Sequence, residues 1–468
     1  MSFSPVTGWD FISNPSQTMT TLYCARWVVP ISSPAFADGA IAVEGQQIVS
    51  VASRPALSRQ FPEAIVRDFG DAAIIPGLVN AHSHLELTAM RGFLEAEEAD
   101  FFAWLKKLTT ARLDRMTADD LYVSAAWGAV EAIRAGVTCV ADASESGTES
   151  MKALRDVGLR GTVFQESFGP DPRWAKENFD KLKTKIAGLR ELETTLVKCG
   201  VSPHAPYTVC APQLEMISRF ALDESLPLMT HAAESRMEAS LIRDGEGPFA
   251  DGLRNRGIEW KAPGVSPIQY LSDHDVLKTR PLLAHCIHVD ETDIETLKQT
   301  ETKVAHCPKS NAKLGHGIAP FQKLLDKGID VGLGSDSVAS NNTCDLLEEA
   351  RFALLLSRSQ SAANLPVRLT SADELLRSVT LGGARCLGLE NQIGELREGL
   401  QADFAVVALV GSHQIPSYDP AGTLIFASSG CDVISTVVAG REVYRDGRVT
   451  TVDEERLRGR MNEIAKKL

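Results

Sequence analysis

The chain lacks several features that would each have placed it in a particular class of protein. It has 48 Lys and Arg against 61 Asp and Glu, a net charge of −13. This shortage of positive charge argues against nucleic acid or anionic membranes as partners bound through bulk charge. No apolar run approaches the roughly 18 residues that span a bilayer. The first eighteen residues have neither a basic n-region nor a continuous apolar core. We therefore expect no signal peptide and a cytoplasmic protein.

Paired cysteines and nucleotide-binding glycine motifs are missing as well. The nine cysteines form no C-x-x-C pair, and their odd number is typical of reduced thiols rather than of a disulfide framework. No P-loop is present, and no G-x-G-x-x-G follows the first strand of the central region, which disfavours an open Rossmann-type sheet. The remaining composition, 44% hydrophobic and 23% charged, is that of a globular protein. At 468 residues we expect one main domain and a smaller one.

Both ends of the chain have the sequence pattern of short β-strands. Between residues 19 and 73, short β-like runs are separated by turn residues, and the same pattern is found near the other end of the chain. There, Ala402–Leu409 and Val433–Arg445 each predict a strand, and Asp453–Leu468 predicts a charged helix. We therefore predict one small β-sandwich domain built from residues 19–73 and 390–468.

The central region, residues 74–389, alternates short apolar runs with longer helical patterns. Strands that alternate with helices indicate parallel βαβ units, and eight of them predict a (β/α)₈ barrel of the TIM type. The carboxyl ends of barrel strands form the catalytic face, and here they carry His, Glu and Asp. The eight predicted strands are Ile75–His84, Val137–Asp142, Gly161–Glu166, Val197–His204, Leu226–His231, Pro281–His285, Lys303–His306 and Ile329–Asp336.

Two histidines close the first of these strands. His82 and His84 are two residues apart, so in an extended segment both side chains point to the same side. Two imidazoles on one side at a strand end can chelate a metal ion, although an isolated His-x-His is also common in ordinary loops. The other strand ends decide between these interpretations.

Strands five and eight supply further ligands of the right chemistry. His231 ends strand five and is followed three residues later by Glu234, a carboxylate suited to proton transfer beside a metal-activated water. Asp336 ends strand eight, which neighbours strand one in a closed barrel; its alternative role is to cap the next turn. Three histidines and one carboxylate leave a coordination position open, as in catalytic metal sites.

Three more histidines are candidates for contact with substrate or with the reacting water. His285 ends strand six and is either a base beside that water or a buried histidine satisfied by hydrogen bonds. His204 lies between two prolines at the end of strand four, where it either contacts substrate or braces the loop. His316 follows strand seven in a glycine-rich loop and is a weaker substrate candidate.

Six motifs, taken together and in order, resemble the amidohydrolase superfamily, and in particular its aminohydrolases of purines, pyrimidines and triazines. The motifs are PGLVNAHSHLE, SPHAPYT, THAAES, AHCIHV, HCPKSNAKLGHG and GLGSDS. The resemblance implies one divalent metal, zinc or iron, which makes hydroxide available at neutral pH. Its ligands would be His82, His84, His231 and Asp336. Catalysis would involve Asp336 and His285 in orienting the water, and Glu234 in protonating a ring nitrogen and the departing amine.

The substrate is less well defined by this resemblance. HSHLELT together with FFAWL is most similar to aminodeoxyfutalosine deaminases of menaquinone biosynthesis, with Ser83 where those proteins typically have Thr. We expect Glu86 and Arg91 to contact such a small-molecule substrate; Arg91 is alternatively a helix-surface residue. Deaminases of S-adenosylhomocysteine, adenosine, guanine or cytosine and triazine hydrolases remain alternatives. So do a two-metal cyclic amidase and a barrel that has lost catalysis. A homodimer or larger homo-oligomer is expected from the family alone.

Overall fold

The computed structural model describes residues 19–361 and 368–468, so the prediction about a signal peptide lies outside the described residues. Within them the chain alternates strands and helices along most of its length. The strands are β1 Thr21–Val28, β2 Phe36–Glu44, β3 Gln47–Ser53, β4 Ile65–Asp68, β5 Ala72–Pro76, β6 Leu78–Ser83, β7 Val137–Ser144, β8 Arg160–Ser167, β9 Val197–Pro203, β10 Met229–Ala232, β11 Leu282–His285, β12 Lys303–His306, β13 Val331–Leu333, β14 Phe404–Ala408, β15 Val433–Val438, β16 Arg441–Arg445 and β17 Arg448–Val449.

The α-helices follow most barrel strands and pack on the outside of the sheet. They are α1 Arg54–Gln60, α2 Phe101–Arg115, α3 Ala118–Arg134, α4 Gly147–Val157, α5 Ala175–Arg190, α6 Ala211–Asp223, α7 Arg236–Asp244, α8 Pro248–Asn255, α9 Pro267–Asp273, α10 Glu291–Gln299, α11 Pro308–Lys313, α12 Phe321–Asp326, α13 Val338–Asn341, α14 Leu346–Ser361, α15 Ala372–Arg377, α16 Gly383–Cys386, α17 Pro420–Phe426 and α18 Glu454–Ala465. Within the described part, no helix is both long and apolar enough to cross a membrane.

Eight parallel strands form the central barrel. Strands β6 to β9 pair in order in one four-stranded sheet, and β10 to β13 pair in order in another. Two parallel bridges join these sheets: Val201 pairs with Leu228, and Ser83 pairs with Asp336. The predicted strand-and-helix alternation is therefore confirmed, and the last strand end lies beside the first. This closure brings the residues after β13 next to the two histidines of β6.

Two predicted strands are each divided in two in the structure, in both cases at a glycine. The predicted first barrel strand began at Ile75, but β5 ends at Pro76 in the other sheet and β6 begins at Leu78. Gly77 separates them where a Cβ atom would lie 2.0 Å from the Thr138 hydroxyl oxygen. The predicted strand Val433–Arg445 is a hairpin, β15 and β16, because Ala439 and Gly440 both have positive φ, as two-residue hairpin turns require.

Both ends of the chain contribute to one nine-stranded mixed sheet. Its order is β17-β16-β15-β14-β5-β1-β2-β3, with β4 pairing beside β5 on the same edge of β1. The composite β-structure predicted from the sequence is thus present as one hydrogen-bonded sheet. Its sandwich form and the domain boundaries at 73 and 390 stay predictions, and β5 already extends to Pro76.

A buried ion pair joins this sheet to the barrel. Arg160, the first residue of β8, donates from Nε to Asp403 Oδ2 at 2.9 Å and from Nη2 to Oδ1 at 3.0 Å. Both side chains are almost completely buried, 2% and 1% exposed. Arg160 lies at the amino end of its strand, opposite the catalytic face, so this contact concerns the attachment of the two parts and not the site.

Candidate metal centre and cavity

Four predicted ligands converge at the carboxyl ends of three barrel strands. The Nε2 atoms of His84 and His231 lie 3.3 Å apart. Oδ1 of Asp336 lies 3.3 Å from Nε2 of His82 and 3.6 Å from Nε2 of His84. All four side chains are buried. Their free nitrogen and oxygen atoms thus face one common point.

The spacing of these atoms fits a metal ion. Ligand atoms that bind one zinc ion at about 2.0–2.1 Å lie roughly 3–3.6 Å from one another, and the distances of 3.3–3.6 Å seen here fall within that range. Nε2 of His82 is buried and has no hydrogen-bond partner among the described residues, a costly arrangement unless another group occupies the point it faces. Three imidazoles and one carboxylate also form a donor set typical of catalytic zinc or iron.

The protonation states of the cluster suit metal binding as well. Burial lowers the pKa of His84 to about 3 and lowers the pKa of His82 and of His231. Burial opposes ionisation of Asp336, but the neighbouring imidazoles, that of His82 above all, keep the pKa of that carboxyl well below its usual range. Neutral imidazoles and an ionised carboxylate are the forms that bind metals.

Neighbouring groups fix the orientation of these ligands. Nδ1 of His231 donates to the backbone carbonyl oxygen of His204 at 2.7 Å, which leaves Nε2 unprotonated for the centre. Oδ2 of Asp336 accepts hydrogen bonds from the hydroxyls of Ser310, at 2.6 Å, and Ser340, at 3.0 Å. Its other oxygen, Oδ1, therefore points at the histidines.

Asp142 on β7 stabilises the segment that carries the two histidines of β6. Its Oδ1 accepts from the Leu85 N–H at 2.7 Å and from the Ser83 hydroxyl at 3.1 Å. Burial raises the pKa of Asp142 to about 7. The residues on either side of His84 are thus tied to the neighbouring barrel strand.

Glu234 lies next to the cluster, among groups that can exchange protons with it. Its Oε1 is 3.6 Å from Nε2 of His285 and 3.7 Å from Nε2 of His316, and its Oε2 accepts from the Tyr207 hydroxyl at 3.4 Å. Burial raises the pKa of Glu234. His285 is oriented through Nδ1, which lies 2.9 Å from Oδ1 of Asn311. Burial lowers its pKa, but the charges of Glu234 and Asp336 outweigh burial and raise it overall.

A second buried glutamate holds the turn on which Glu234 lies. Both oxygens of Glu238 accept from the backbone: Oε1 from the Ala233 N–H at 2.9 Å and Oε2 from the Glu234 N–H at 2.8 Å. Ala233 has a φ of 51°, the left-handed conformation that non-glycine residues rarely adopt. His285 and Asp336 also have positive φ, at 75° and 57°. Such backbone strain is typical of functional sites.

A cavity of about 730 Å³ opens above the cluster. One wall is apolar and comes largely from α2, which places Phe101 and Trp104 against the space, with Phe249 of α8 nearby. His204 also lines the cavity; its Nδ1 lies 2.8 Å from the Thr208 hydroxyl oxygen, and its ring packs against Phe168 at a centroid distance of 4.6 Å. This position suits both substrate contact and bracing of the loop.

Of the other residues predicted to contact substrate, Glu86 and His316 lie near the cavity and Arg91 does not. Glu86 lines the cavity, but its oxygens already accept from the Ser144 hydroxyl at 2.6 Å and the Ser146 N–H at 2.9 Å. His316 packs on Phe101 and faces Glu234. Arg91 is the exception, because it is exposed, pairs with Glu131 and is not among the residues lining the cavity. This exposed position favours its alternative as a surface residue, and its contact with substrate stays a prediction.

Several residues of the site were not identified from the sequence. Glu166 ends a predicted barrel strand, and its position there was a signal that could have found it. Glu238 follows Ser235 in an S-x-x-E pattern, which ordinarily indicates a capping box. Arg112 lies in the middle of a helical pattern and had no such signal.

Comparison with known proteins agrees with this architecture. The model of the amidohydrolase family matches residues 73–443. A protein of Pyrococcus furiosus named 5-methylthioadenosine/S-adenosylhomocysteine deaminase is 33% identical over 403 residues, which cover 85% of this chain and 89% of that protein.

Solved structures of the same fold contain zinc. An adenosine deaminase from Xanthomonas campestris with bound zinc superimposes with a TM-score of 0.85 at 26% identity, covering 97% of this chain and 99% of that one. Atrazine chlorohydrolase from Arthrobacter aurescens, complexed with zinc, gives a TM-score of 0.82 at 25% identity, covering 95% and 100%. The chain belongs to the amidohydrolase family and is a hydrolase of carbon–nitrogen bonds other than peptide bonds.

Proposed function

We propose that the protein is a metal-dependent deaminase that releases ammonia from an aminated heterocycle. The observation that carries this proposal is the position of Glu234, a buried carboxyl with a raised pKa beside four converging metal-type ligands. A group of this kind can deliver a proton to a ring nitrogen at neutral pH. The cavity above it accommodates a nucleoside-sized molecule.

The ligands of the ion would be His82, His84, His231 and Asp336. When bound, a divalent zinc or iron ion supplies a hydroxide nucleophile at neutral pH. Asp336 is fixed by its two serine partners. Its Oδ1, which faces the histidines, would orient the attacking water and accept a proton from it.

The remaining proton transfers fall to Glu234 and His285. Glu234 donates its proton to the ring nitrogen next to the carbon to which the hydroxyl adds. It then takes the remaining proton of that hydroxyl and passes it to the amine, so that the carbon–nitrogen bond breaks and ammonia leaves. The proton accepted by Asp336 finally returns to Glu234. His285 is held through Nδ1 by Asn311, so its Nε2 faces Glu234 and stabilises the negative charge that Glu234 gains when it gives up its proton.

We propose a 6-aminopurine nucleoside as the substrate class. The adenosine-type names of relatives and of one structural neighbour support a purine. The apolar wall formed by Phe101, Trp104 and Phe249 is suited to an aromatic or thioether group attached to the sugar. Within this class the HSHLELT and FFAWL segments favour aminodeoxyfutalosine, and the names of the relatives favour 5-methylthioadenosine or S-adenosylhomocysteine.

A panel assay separates these substrates. Ammonia release by the zinc- or iron-loaded protein is measured with aminodeoxyfutalosine, 5-methylthioadenosine, S-adenosylhomocysteine, adenosine, guanine and cytosine. We expect turnover of nucleosides and little turnover of free bases. Turnover of guanine or cytosine alone contradicts the substrate class. Chloride release from a chlorotriazine without any ammonia release from the panel contradicts the deaminase proposal.

The role of Glu234 is tested with a variant that keeps its shape. Glu234→Gln removes the proton donor but none of the four ligands, so we expect one bound metal per chain by elemental analysis and a kcat lowered about 10²- to 10⁴-fold. The exposed Glu246→Gln is a matched control and is expected to keep full activity. A fully active Glu234→Gln enzyme refutes this role.

A further inference from the structure

One buried carboxyl beside the cavity has an oxygen that no described residue satisfies. Glu166 lies near the carboxyl end of β8, is 7% exposed and lines the cavity. Its Oε1 is inaccessible to solvent and has no hydrogen-bond partner in the part of the chain that is described. An unpaired buried carboxyl costs free energy, so its retention at a cavity wall indicates a partner that arrives with the ligand.

The cation beside Glu166 is Arg112, and it already pairs with two other acidic residues. Arg112 contacts Glu86 through Nε at 3.2 Å, pairs with Glu145 through Nη1, and reaches the Ser146 hydroxyl with Nη2 at 3.4 Å. It acts on Glu166 only through space. Three carboxyls and one guanidinium therefore share this end of the cavity, which disfavours an anionic group there.

A second metal ion does not explain the arrangement. Ligand atoms of Glu166, His204 and His231 lie within 4.8 Å of one another. However, Nδ1 of His231 donates to the carbonyl of His204, and its Nε2 faces His84 in the first cluster. His231 has no nitrogen left for another ion, so Glu166 meets a polar group of the organic ligand instead.

We propose that Glu166 determines specificity by hydrogen-bonding a sugar hydroxyl of the nucleoside substrate, an inference that rests on the proposed function. A hydroxyl donates to a carboxylate and also accepts from a neutral carboxyl, so it satisfies Glu166 in either form. Glu166 lies on β8, two strands before β10 in the barrel order, so it approaches the substrate from a different side than Glu234.

The test compares adenosine with 2′-deoxyadenosine and 3′-deoxyadenosine. Glu166→Ala is expected to lower kcat/KM for adenosine about 10- to 100-fold, the effect of losing one hydrogen bond to a buried carboxyl. For the deoxynucleoside that lacks the bound hydroxyl, Glu166→Ala is expected to lower kcat/KM less than about threefold. Glu166→Gln retains an acceptor and should recover most of the activity with adenosine.

A control separates hydrogen bonding from local charge. Glu145→Gln removes a carboxylate from the same cluster without touching Glu166, and it should change kcat/KM for all three nucleosides by one common factor. A common factor for Glu166→Ala, or no loss with any nucleoside, overturns the inference.

A binding measurement keeps this test separate from that of the proposed function. Calorimetry with the metal-loaded protein compares the affinity of adenosine with that of each deoxynucleoside in the wild-type and Glu166→Ala proteins. An adenosine preference that disappears in the variant supports the inference even if no ammonia is released, whereas the absence of ammonia release with every nucleoside refutes the proposed function. An unchanged preference overturns the inference.

Discussion

Removing the Glu238 side chain tests whether this residue builds the turn that carries Glu234. The change Glu238→Ala leaves two buried N–H groups, those of Ala233 and Glu234, without their acceptors. Each unpaired buried group costs about 1–3 kcal/mol, so the free energy of unfolding should fall by about 2–6 kcal/mol. Glu238→Gln keeps one acceptor oxygen and should lose about half of that amount.

The expected effect on catalysis is specific. Without Glu238 the N–H groups of Ala233 and Glu234 lose their acceptors, which loosens the left-handed turn and the position of Glu234 beside His285. We expect Glu238→Gln to retain one metal per chain and to lower kcat about 10- to 100-fold with little change in KM. Urea unfolding of the metal-loaded protein and ammonia release on the best substrate of the panel are the two measurements.

The exposed Glu246 provides a matched control a few residues further along the chain. Glu246→Ala should change the free energy of unfolding by less than about 0.5 kcal/mol and leave kcat unchanged. The reasoning fails if Glu238→Ala unfolds at the urea concentration of the wild type, or if Glu238→Gln keeps full kcat. Either result means that the turn is held by other contacts.

Three further predictions concern the metal, the buried ion pair and Asp142. Chelation should abolish ammonia release and zinc should restore it, and zinc at 100 times its Kd should raise stability by about 2.7 kcal/mol, seen as a higher Tm. Arg160→Met leaves Asp403 buried without its cation and should cost about 3–5 kcal/mol in urea unfolding, part of which is recovered when Asp403→Leu is added. Because the pKa of Asp142 is raised to about 7 in the folded state, its contribution to stability is fully present below its unfolded pKa of about 4 and is lost as pH rises to about 7. In metal-free protein, Asp142→Asn should therefore gain stability relative to wild type across this interval, and a constant difference between the two proteins contradicts the shift.

The barrel and its metal-type cluster could be predicted because their signals are local. An apolar run of four to eight residues that ends in His or Asp identifies a strand and its catalytic end at once, as Leu282–His285 shows. The closure of the barrel then follows from the number of strands. His82, His84 and Asp336 lie together because the first and last strands of a closed barrel are neighbours.

The parts that were missed depend on contacts between residues far apart in the sequence. Arg112 reaches Glu86 and Glu145 from the middle of α2, and no periodicity in that helix distinguishes it from a solvated arginine. Glu238 was hidden for a different reason. Its spacing from Ser235 is that of an ordinary capping box, but its carboxyl reaches beyond the cap to the N–H groups of Ala233 and Glu234.

The location of these missed residues explains why chemistry was easier to predict than substrate. The converging ligands come from strand ends, whose positions the barrel itself dictates. Much of the apolar wall comes instead from the segment between β6 and α3, which contains α2 and no barrel strand. Changes in this segment can reshape the cavity while the ligand geometry stays intact, so proteins of this fold can share a metal centre and act on different ring systems. A substitution such as Trp104→Ala should therefore alter the order of preference among nucleosides while zinc content stays at one per chain.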